Sequence, residues 1–196
     1  MNRTPLLLET IRIENGRPCH LEWHNRRFNR SRRELFGAKE ELDLADLLKG
    51  APPRGLYRCR VLYGSSVEKI EYLPYRPALP GRFALAEFPG EYRYKYADRS
   101  RFARLMERFS GADDLMLCRD GLLTDTSIAN IALRRGGIWY TPRVPLLPGT
   151  TRARLLARGA LVEAEISREE IGTYDELALM NAMIGFAVIE NPIYIM

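Results

Sequence analysis

The middle of the chain contains, in order, YRYKY at residues 92–96, GLLTDTSIAN at 121–130 and LPGTTR at 147–152. The first segment places a lysine among tyrosines. The second has the alternation and turn residues of a β-hairpin and carries one carboxylate, and the third ends a loop with glycine before a basic segment that predicts a helix over 151–158. An amine, a carboxylate and a helix start that could bind an anion therefore follow one another along the chain.

Composition predicts a soluble globular protein. The chain has 196 residues, of which 46% are hydrophobic and 28% charged, enough for one domain or two small ones. No apolar run has the length of a membrane span or of a signal-peptide core, and three scattered cysteines indicate a reducing, cytoplasmic environment. Two histidines give no zinc spacing. The net charge of +5 comes from dispersed arginines without an RNA-binding motif, so we expect no nucleic acid and no membrane as partner.

Proline and glycine divide the chain into two parts. The segment PYRPALPG at 74–81 is the best linker, which predicts a small α/β domain over 1–78 and a larger, β-rich domain over 82–196. Asn15-Gly16 predicts a tight hairpin, and the helix over 20–36 should end at Gly37. Asp98 is the expected N-cap of a helix ending at residue 110, and capping boxes are predicted at 167–170 and 173–176.

Four positions carry candidate chemistry, and each has an ordinary alternative. Lys95 could act as a nucleophilic amine if its neighbours desolvate it, although a surface lysine is commoner. Asp125 could face a protonated ring nitrogen, or it could be a turn aspartate. Residues 149–151 form a possible phosphate site at a helix start, a feature that any Gly-Thr-Thr helix start shares. Arg27 could be a second phosphate anchor or a solvated arginine on a basic helix.

The order and spacing of further motifs resemble those of the fold-type IV pyridoxal phosphate (PLP) enzymes, the class IV aminotransferases. HNRR at 24–27 resembles the family's H-x-x-R, and Lys95 falls at the Schiff-base lysine. GADDLML at 111–117, TD at 124–125, NI at 130–131, YTP at 140–142 and PGTTR at 148–152 resemble further family motifs. MNAM at 180–183 is similar to the C-N-A-(L/M) of aminodeoxychorismate lyase, and Arg99, four residues after the lysine, also matches the lyase.

The resemblance implies an α+β, two-domain fold of the D-amino-acid aminotransferase type, with a small α/β domain and a larger β-rich pseudo-barrel domain. It implies PLP as cofactor, a small amino-acid-like substrate and a homodimer. Lys95 would be the catalytic residue and Arg99 the substrate-binding residue. The implied cofactor-binding residues are Arg27, Lys95, Asp125, Thr150, Thr151, Asn181 and Ala182.

Two departures from the family pattern bear on function. The strand and the D-x-G-x-x-x-G-(D/E) loop that usually precede the F-E-T motif, here Leu8-Glu9-Thr10, are absent, so the sequence resembles an amino-terminally shortened member. Asp125 replaces the usual glutamate and is one methylene shorter. Three hypotheses follow: an aminodeoxychorismate lyase of folate biosynthesis, which eliminates pyruvate to give p-aminobenzoate; an aminotransferase for branched-chain or D-amino acids; and a non-catalytic family member that binds PLP or an acidic partner.

Overall fold

A computed structural model describes residues 5–195, and the chain divides into two compact units. The first unit comprises the chain as far as Pro77 together with Tyr94–Asp98. The second comprises Ala78–Arg93 and the chain from Arg99 onward. The domain boundary that the sequence predicted stays a prediction. Tyr94–Asp98 groups with the first unit through backbone pairing, since the Ala97 amide donates to the Leu6 carbonyl (2.9 Å).

The first unit is a four-stranded antiparallel sheet with one long helix. Its elements are β1 (Leu7–Glu14), β2 (Arg17–Pro18), α1 (Leu21–Phe36), α2 (Leu44–Leu47), β3 (Leu56–Tyr63) and β4 (Val67–Pro74), with the strands in the order β2-β1-β3-β4. Asn15 and Gly16 both have positive φ and join β1 to β2, which confirms the predicted hairpin. Gly37 has a φ of 65° and ends α1, also as predicted.

The second unit is built on a nine-stranded mixed sheet. Its elements are β5 (Arg82–Glu87), α3 (Ser100–Met106), β6 (Asp114–Arg119), β7 (Leu122–Thr126), β8 (Asn130–Arg135), β9 (Ile138–Pro142), α4 (Thr150–Ala157), β10 (Val162–Ala164), a 3₁₀ helix (Arg168–Thr173), β11 (Glu176–Asn181), β12 (Gly185–Ile189) and β13 (Ile193–Ile195). The main path of the sheet is β10-β9-β8-β7-β6-β5-β13, and β11 joins β8 to β12. This architecture confirms the predicted α+β class.

Two local predictions in the second unit were wrong. The helix predicted from Asp98 to residue 110 is shorter, since α3 begins at Ser100 with Arg99 in the capping position and no side-chain cap. The second capping box also fails because Thr173 ends the 3₁₀ helix and Glu176 opens β11, where its carboxylate pairs with Arg134. The first box is present at the start of that 3₁₀ helix.

Each unit has its own apolar core. In the first, Phe28 of α1 packs edge-to-face on Tyr63 of β3, and both side chains are almost fully buried. In the second, β6, β7, β8 and β11 contribute a continuous set of buried aliphatic side chains. Among residues 5–195, no helix is long and apolar enough to cross a membrane.

Candidate active site

Lys95 lies in an extended segment that pairs with β1. The Leu8 amide donates to the Lys95 carbonyl (2.8 Å), so the backbone of the lysine is fixed to the first unit. The Lys95 side chain is partly buried. Tyr94 is buried and donates its hydroxyl to Glu34 (2.8 Å), and Tyr96 packs against the same core. Two of the tyrosines expected to surround the lysine therefore anchor its segment.

Arg27 is buried, so the alternative interpretation of a solvated arginine on a basic helix is wrong. Its Nε and Nη2 donate to the two carboxylate oxygens of Glu9 at 2.7 and 2.6 Å, and His24 Nδ1 lies 2.6 Å from the same carboxylate. Burial alone would raise the pKa of Glu9, but the charge and hydrogen bonds of Arg27, together with His24, lower that pKa to about 2. Glu9 is therefore ionised at neutral pH and gives Arg27 a buried counter-ion.

Asp125 is buried in β7, not exposed in a turn. One of its carboxylate oxygens accepts from Asn130 Nδ2 (2.6 Å) and the other from the Leu147 amide (2.7 Å). Burial raises the pKa of Asp125 to about 7, although the two donors and the charge of Arg152 act in the opposite direction. A cation beside this carboxylate would lower that pKa and favour the ionised form.

The start of α4 lies beside Asn130. Gly149 is the capping residue, and both Thr150 and Thr151 are buried. Asn130 Nδ2 also donates to the Leu147 carbonyl (2.8 Å), so one amide group links Asp125 to the loop before α4. Arg152 holds the first turn of α4 in place because its guanidinium donates to the Pro142 carbonyl and to Glu163, both at 2.7 Å.

Gly149 is required for space, not for its backbone conformation, because its φ is −74°. A Cβ at this position would overlap Asn130 Oδ1. We expect Gly149→Ala to lower the free energy of unfolding by about 2 kcal/mol through overpacking, measured by urea denaturation of the cofactor-free protein. Gly172→Ala is the matched control because a Cβ there meets nothing within 4 Å. Equal effects of the two substitutions would contradict this account.

Asn181 shapes the turn between β11 and β12. Its side-chain oxygen accepts from the amides of Met183 (2.8 Å) and Ile184 (3.1 Å), and its Nδ2 donates to the Ile128 carbonyl (3.2 Å). Ala182 lies inside this turn and is partly buried. The polar atoms of Asn181 thus set the backbone of the segment that the sequence predicted to bind phosphate.

Arg99 is oriented by two contacts. Its Nη2 donates to the Ser127 carbonyl (2.5 Å), and its guanidinium carbon lies 4.6 Å from the centre of the Phe102 ring. Ser127 lies in the turn that follows Asp125, so this turn connects the predicted substrate-binding arginine to the strand that carries the predicted cofactor-binding carboxylate.

The structure adds two polar groups to the predicted set. Glu9 was quoted only as part of a motif, but it is fully buried beneath Arg27. Asn130 was likewise only a motif residue, yet it contacts both Asp125 and the loop before α4. For Glu9 the signal is a charged residue on the strand face that it shares with Leu7 and Ile11, and Asn130 directly precedes the apolar residues 131–133 of β8. Each signal indicates a buried partner without identifying which residue it is.

Comparison with known proteins identifies the protein family of this chain. The family model for amino-transferase class IV matches residues 91–191, and the chain belongs to that family. Class IV aminotransferases are fold-type IV enzymes that use PLP. The chain is therefore a PLP-dependent lyase or transaminase, and its cofactor is PLP.

Three relatives describe the similarity further. An uncharacterised protein from Haemophilus influenzae is 37% identical over 184 residues, which cover 91% of this chain and 98% of the relative. A crystal structure from Haemophilus somnus, provisionally described as a 4-amino-4-deoxychorismate lyase, has 32% identity and a TM-score of 0.84, covering 94% of this chain and all of the other. A Schizosaccharomyces pombe protein, provisionally named aminodeoxychorismate lyase, is 27% identical over 59% of this chain and 54% of its own length.

The residues present suit the chemical groups of PLP. Asp125 is a buried carboxylate whose pKa of about 7 would fall beside a protonated pyridine nitrogen. The α4 start offers backbone amides and two threonine hydroxyls, which match a phosphate. Arg27 offers a guanidinium whose orientation is fixed by Glu9. Each of these groups, taken within its own unit, has the chemistry to bind one part of PLP.

Proposed function

We propose that the chain is a PLP-dependent lyase that eliminates pyruvate from 4-amino-4-deoxychorismate to give p-aminobenzoate. The observation that carries the catalytic part is the buried Asp125, held by Asn130 and the Leu147 amide. The lyase part is supported by the 32% identity to the Haemophilus somnus protein. Arg99 and Asn181, which match the lyase motifs in the sequence, also support the lyase reaction. We further propose a cytoplasmic homodimer that acts in folate biosynthesis.

Each site residue has a proposed task. Bound PLP supplies an electron sink for the electron pair left when the substrate loses a proton. Asp125 keeps the pyridine nitrogen protonated. Lys95 Nζ would hold the cofactor until the substrate amine displaces it. The freed amine would then accept the proton from the carbon that bears the substrate amine and return a proton to the departing enolpyruvate, so that pyruvate leaves and the ring becomes aromatic.

The remaining residues bind and orient. Arg27, Thr150 and Thr151 hold the phosphate, with the turn at Asn181 and Ala182 contributing backbone amides. Arg99 binds a substrate carboxylate through a two-pronged contact, for which its guanidinium is already oriented on Phe102. This assignment predicts that substrates without a carboxylate bind poorly.

The test is a two-substrate assay of purified protein loaded with PLP. Incubation with 4-amino-4-deoxychorismate should release p-aminobenzoate and pyruvate in equal amounts, measured by fluorescence and by lactate dehydrogenase coupling. Lys95→Ala should release both products at least about a hundredfold more slowly. Release of pyruvate without p-aminobenzoate, or of neither product by the loaded wild-type protein, would contradict the proposed reaction.

A transaminase is the second candidate, which the class IV aminotransferase family model favours. Such an enzyme would exchange an amino group between a branched-chain or D-amino acid and a keto acid in two half-reactions. Turnover of an amino acid with a keto acid, with no release of p-aminobenzoate from the lyase substrate, would select this candidate. Retained PLP with no turnover in either assay would select a non-catalytic binding protein.

A further inference from the structure

Strand β1 contacts two predicted cofactor-binding residues through adjacent positions. Leu8 hydrogen-bonds through its amide to the Lys95 carbonyl (2.8 Å), and Glu9, the next residue, accepts two hydrogen bonds from Arg27 (2.7 and 2.6 Å). All four residues belong to the first unit. One strand therefore fixes both the backbone of the lysine and the side chain of the arginine.

The group beneath Arg27 is a fully buried cluster of charged and polar side chains. Glu9 has no exposed surface, and His24 and Arg27 are buried around it. Because the ionised carboxylate has only acceptor atoms, His24 Nδ1 must carry the proton shared at 2.6 Å. Glu9 thus accepts from three donors, an arrangement that holds each partner in one orientation.

The ion pair with Glu9 does not use all of the hydrogen-bond donors of Arg27. A guanidinium has five N–H donors, of which two are committed to Glu9, so three lie outside this pair. A guanidinium already held in one plane loses less side-chain entropy when it binds an anion. The negative charge of Glu9 has the opposite effect, since it weakens the attraction of Arg27 for a phosphate. The change in phosphate binding when the Glu9 charge is removed shows whether the orientation of Arg27 or the weakened attraction is the larger effect.

We propose that Glu9 is a positioning residue that holds Arg27 as the phosphate anchor of PLP, and that β1 thereby keeps this anchor in register with Lys95. The inference rests on the proposed function in assuming that Arg27 binds the cofactor phosphate. It assigns Glu9 no contact with the cofactor. The proposal therefore requires that the orientation of Arg27 by Glu9 contributes more to phosphate binding than the negative charge of Glu9 removes.

The experiment compares PLP with pyridoxal, which lacks the phosphate, in the wild-type protein and in Glu9→Gln. Cofactor-free protein is titrated with each compound by absorbance, and the Lys95 adduct is trapped with borohydride and located by mass spectrometry. Glu9→Gln should raise the Kd for PLP about tenfold, as is typical when a partner that orients a ligand group is lost. The Kd for pyridoxal should stay within about twofold.

Two further variants separate positioning from folding. Glu71→Gln is the matched control, because it removes a carboxylate that pairs with Arg60 (3.1 Å) in the same sheet, and it should leave both Kd values unchanged. The double variant Glu9→Gln/Arg27→Gln leaves no unpaired buried charge. Its Kd for PLP should match that of Arg27→Gln alone within about threefold, because Glu9 acts only through Arg27.

Each contrary result has a distinct meaning. A tighter Kd for PLP in Glu9→Gln would show that Glu9 serves only as a counter-charge, and equal losses for PLP and pyridoxal would show a purely structural role; both overturn the inference. If wild-type protein forms no Lys95 adduct with either compound, the proposed function fails. If the wild-type protein forms the adduct but Arg27→Gln binds PLP normally, the inference fails and Arg27 loses its proposed task, while the proposed lyase reaction at Lys95 stands.

Discussion

Replacing Lys95 by alanine is expected to abolish the covalent attachment of PLP and to reduce turnover by roughly 10²–10⁴-fold, the usual contribution of a positioned acid–base group. No other side chain in the proposed site offers an amine for both tasks. The measurement is the visible absorbance of the PLP-loaded protein before and after borohydride. Wild-type protein should show a band that reduction fixes covalently, and the variant should lack it.

The control for this prediction is another lysine of the first unit. Lys69 is exposed and pairs with Glu71 (2.7 Å), and Lys69→Ala should retain the band and the activity. The backbone of residue 95 accepts its hydrogen bond from Leu8 whatever the side chain, so the variant should keep the fold. If Lys95→Ala formed the same reducible adduct as wild type, the assignment of the catalytic lysine would be wrong.

Local sequence rules predicted the parts of the fold that depend on neighbouring residues. Asn15 and Gly16 formed the expected turn because both can adopt positive φ, and Gly37 ended α1 for the same reason. Asp98 did not cap a helix. The segment before it pairs with β1, and that tertiary contact overrode the local preference.

For the candidate site, sequence motifs select individual residues but do not identify the distant side chains that hydrogen-bond to them. Lys95 and Asp125 could be selected from the order of the motifs. Glu9 could not be assigned to Arg27, eighteen positions away, without the packing of α1 on β1. Asn130 likewise needed the loop before α4 in place, because its side chain bridges two segments far apart in the chain.

Replacing Asp125 by asparagine is expected to remove a pH dependence from the stability of the cofactor-free protein. The pKa of Asp125 is raised from 3.8 to about 7, so between these values the folded state binds more protons than the unfolded state. The contribution of Asp125 is thus most favourable at low pH and is lost as pH rises towards 7. From pH 5 to pH 8, wild-type protein should lose roughly 2–3 kcal/mol of unfolding free energy through this residue.

Urea denaturation at several pH values measures this contribution as the difference between wild type and Asp125→Asn. The variant also replaces one accepting oxygen with an amide group facing a donor, which should cost about 1 kcal/mol at every pH. Asp113→Asn is the control, because the amides of Gly81 and Arg82 lower the pKa of Asp113. Its difference from wild type should therefore stay constant between pH 5 and pH 8. For Asp125→Asn, a difference that does not change with pH would contradict the raised pKa of Asp125.

Bound PLP should weaken this pH dependence, which links the stability of the protein to its proposed chemistry. A protonated pyridine nitrogen beside Asp125 stabilises the ionised carboxylate, so the loss between pH 5 and pH 8 should shrink in the PLP-loaded protein. In Asp125→Asn the ring nitrogen loses that partner, and turnover should fall about a hundredfold or more while PLP remains attached to Lys95. On the proposed assignment, the ionised Asp125 carboxylate is unfavourable in the cofactor-free protein above pH 7 and would become favourable when the cofactor supplies the opposite charge.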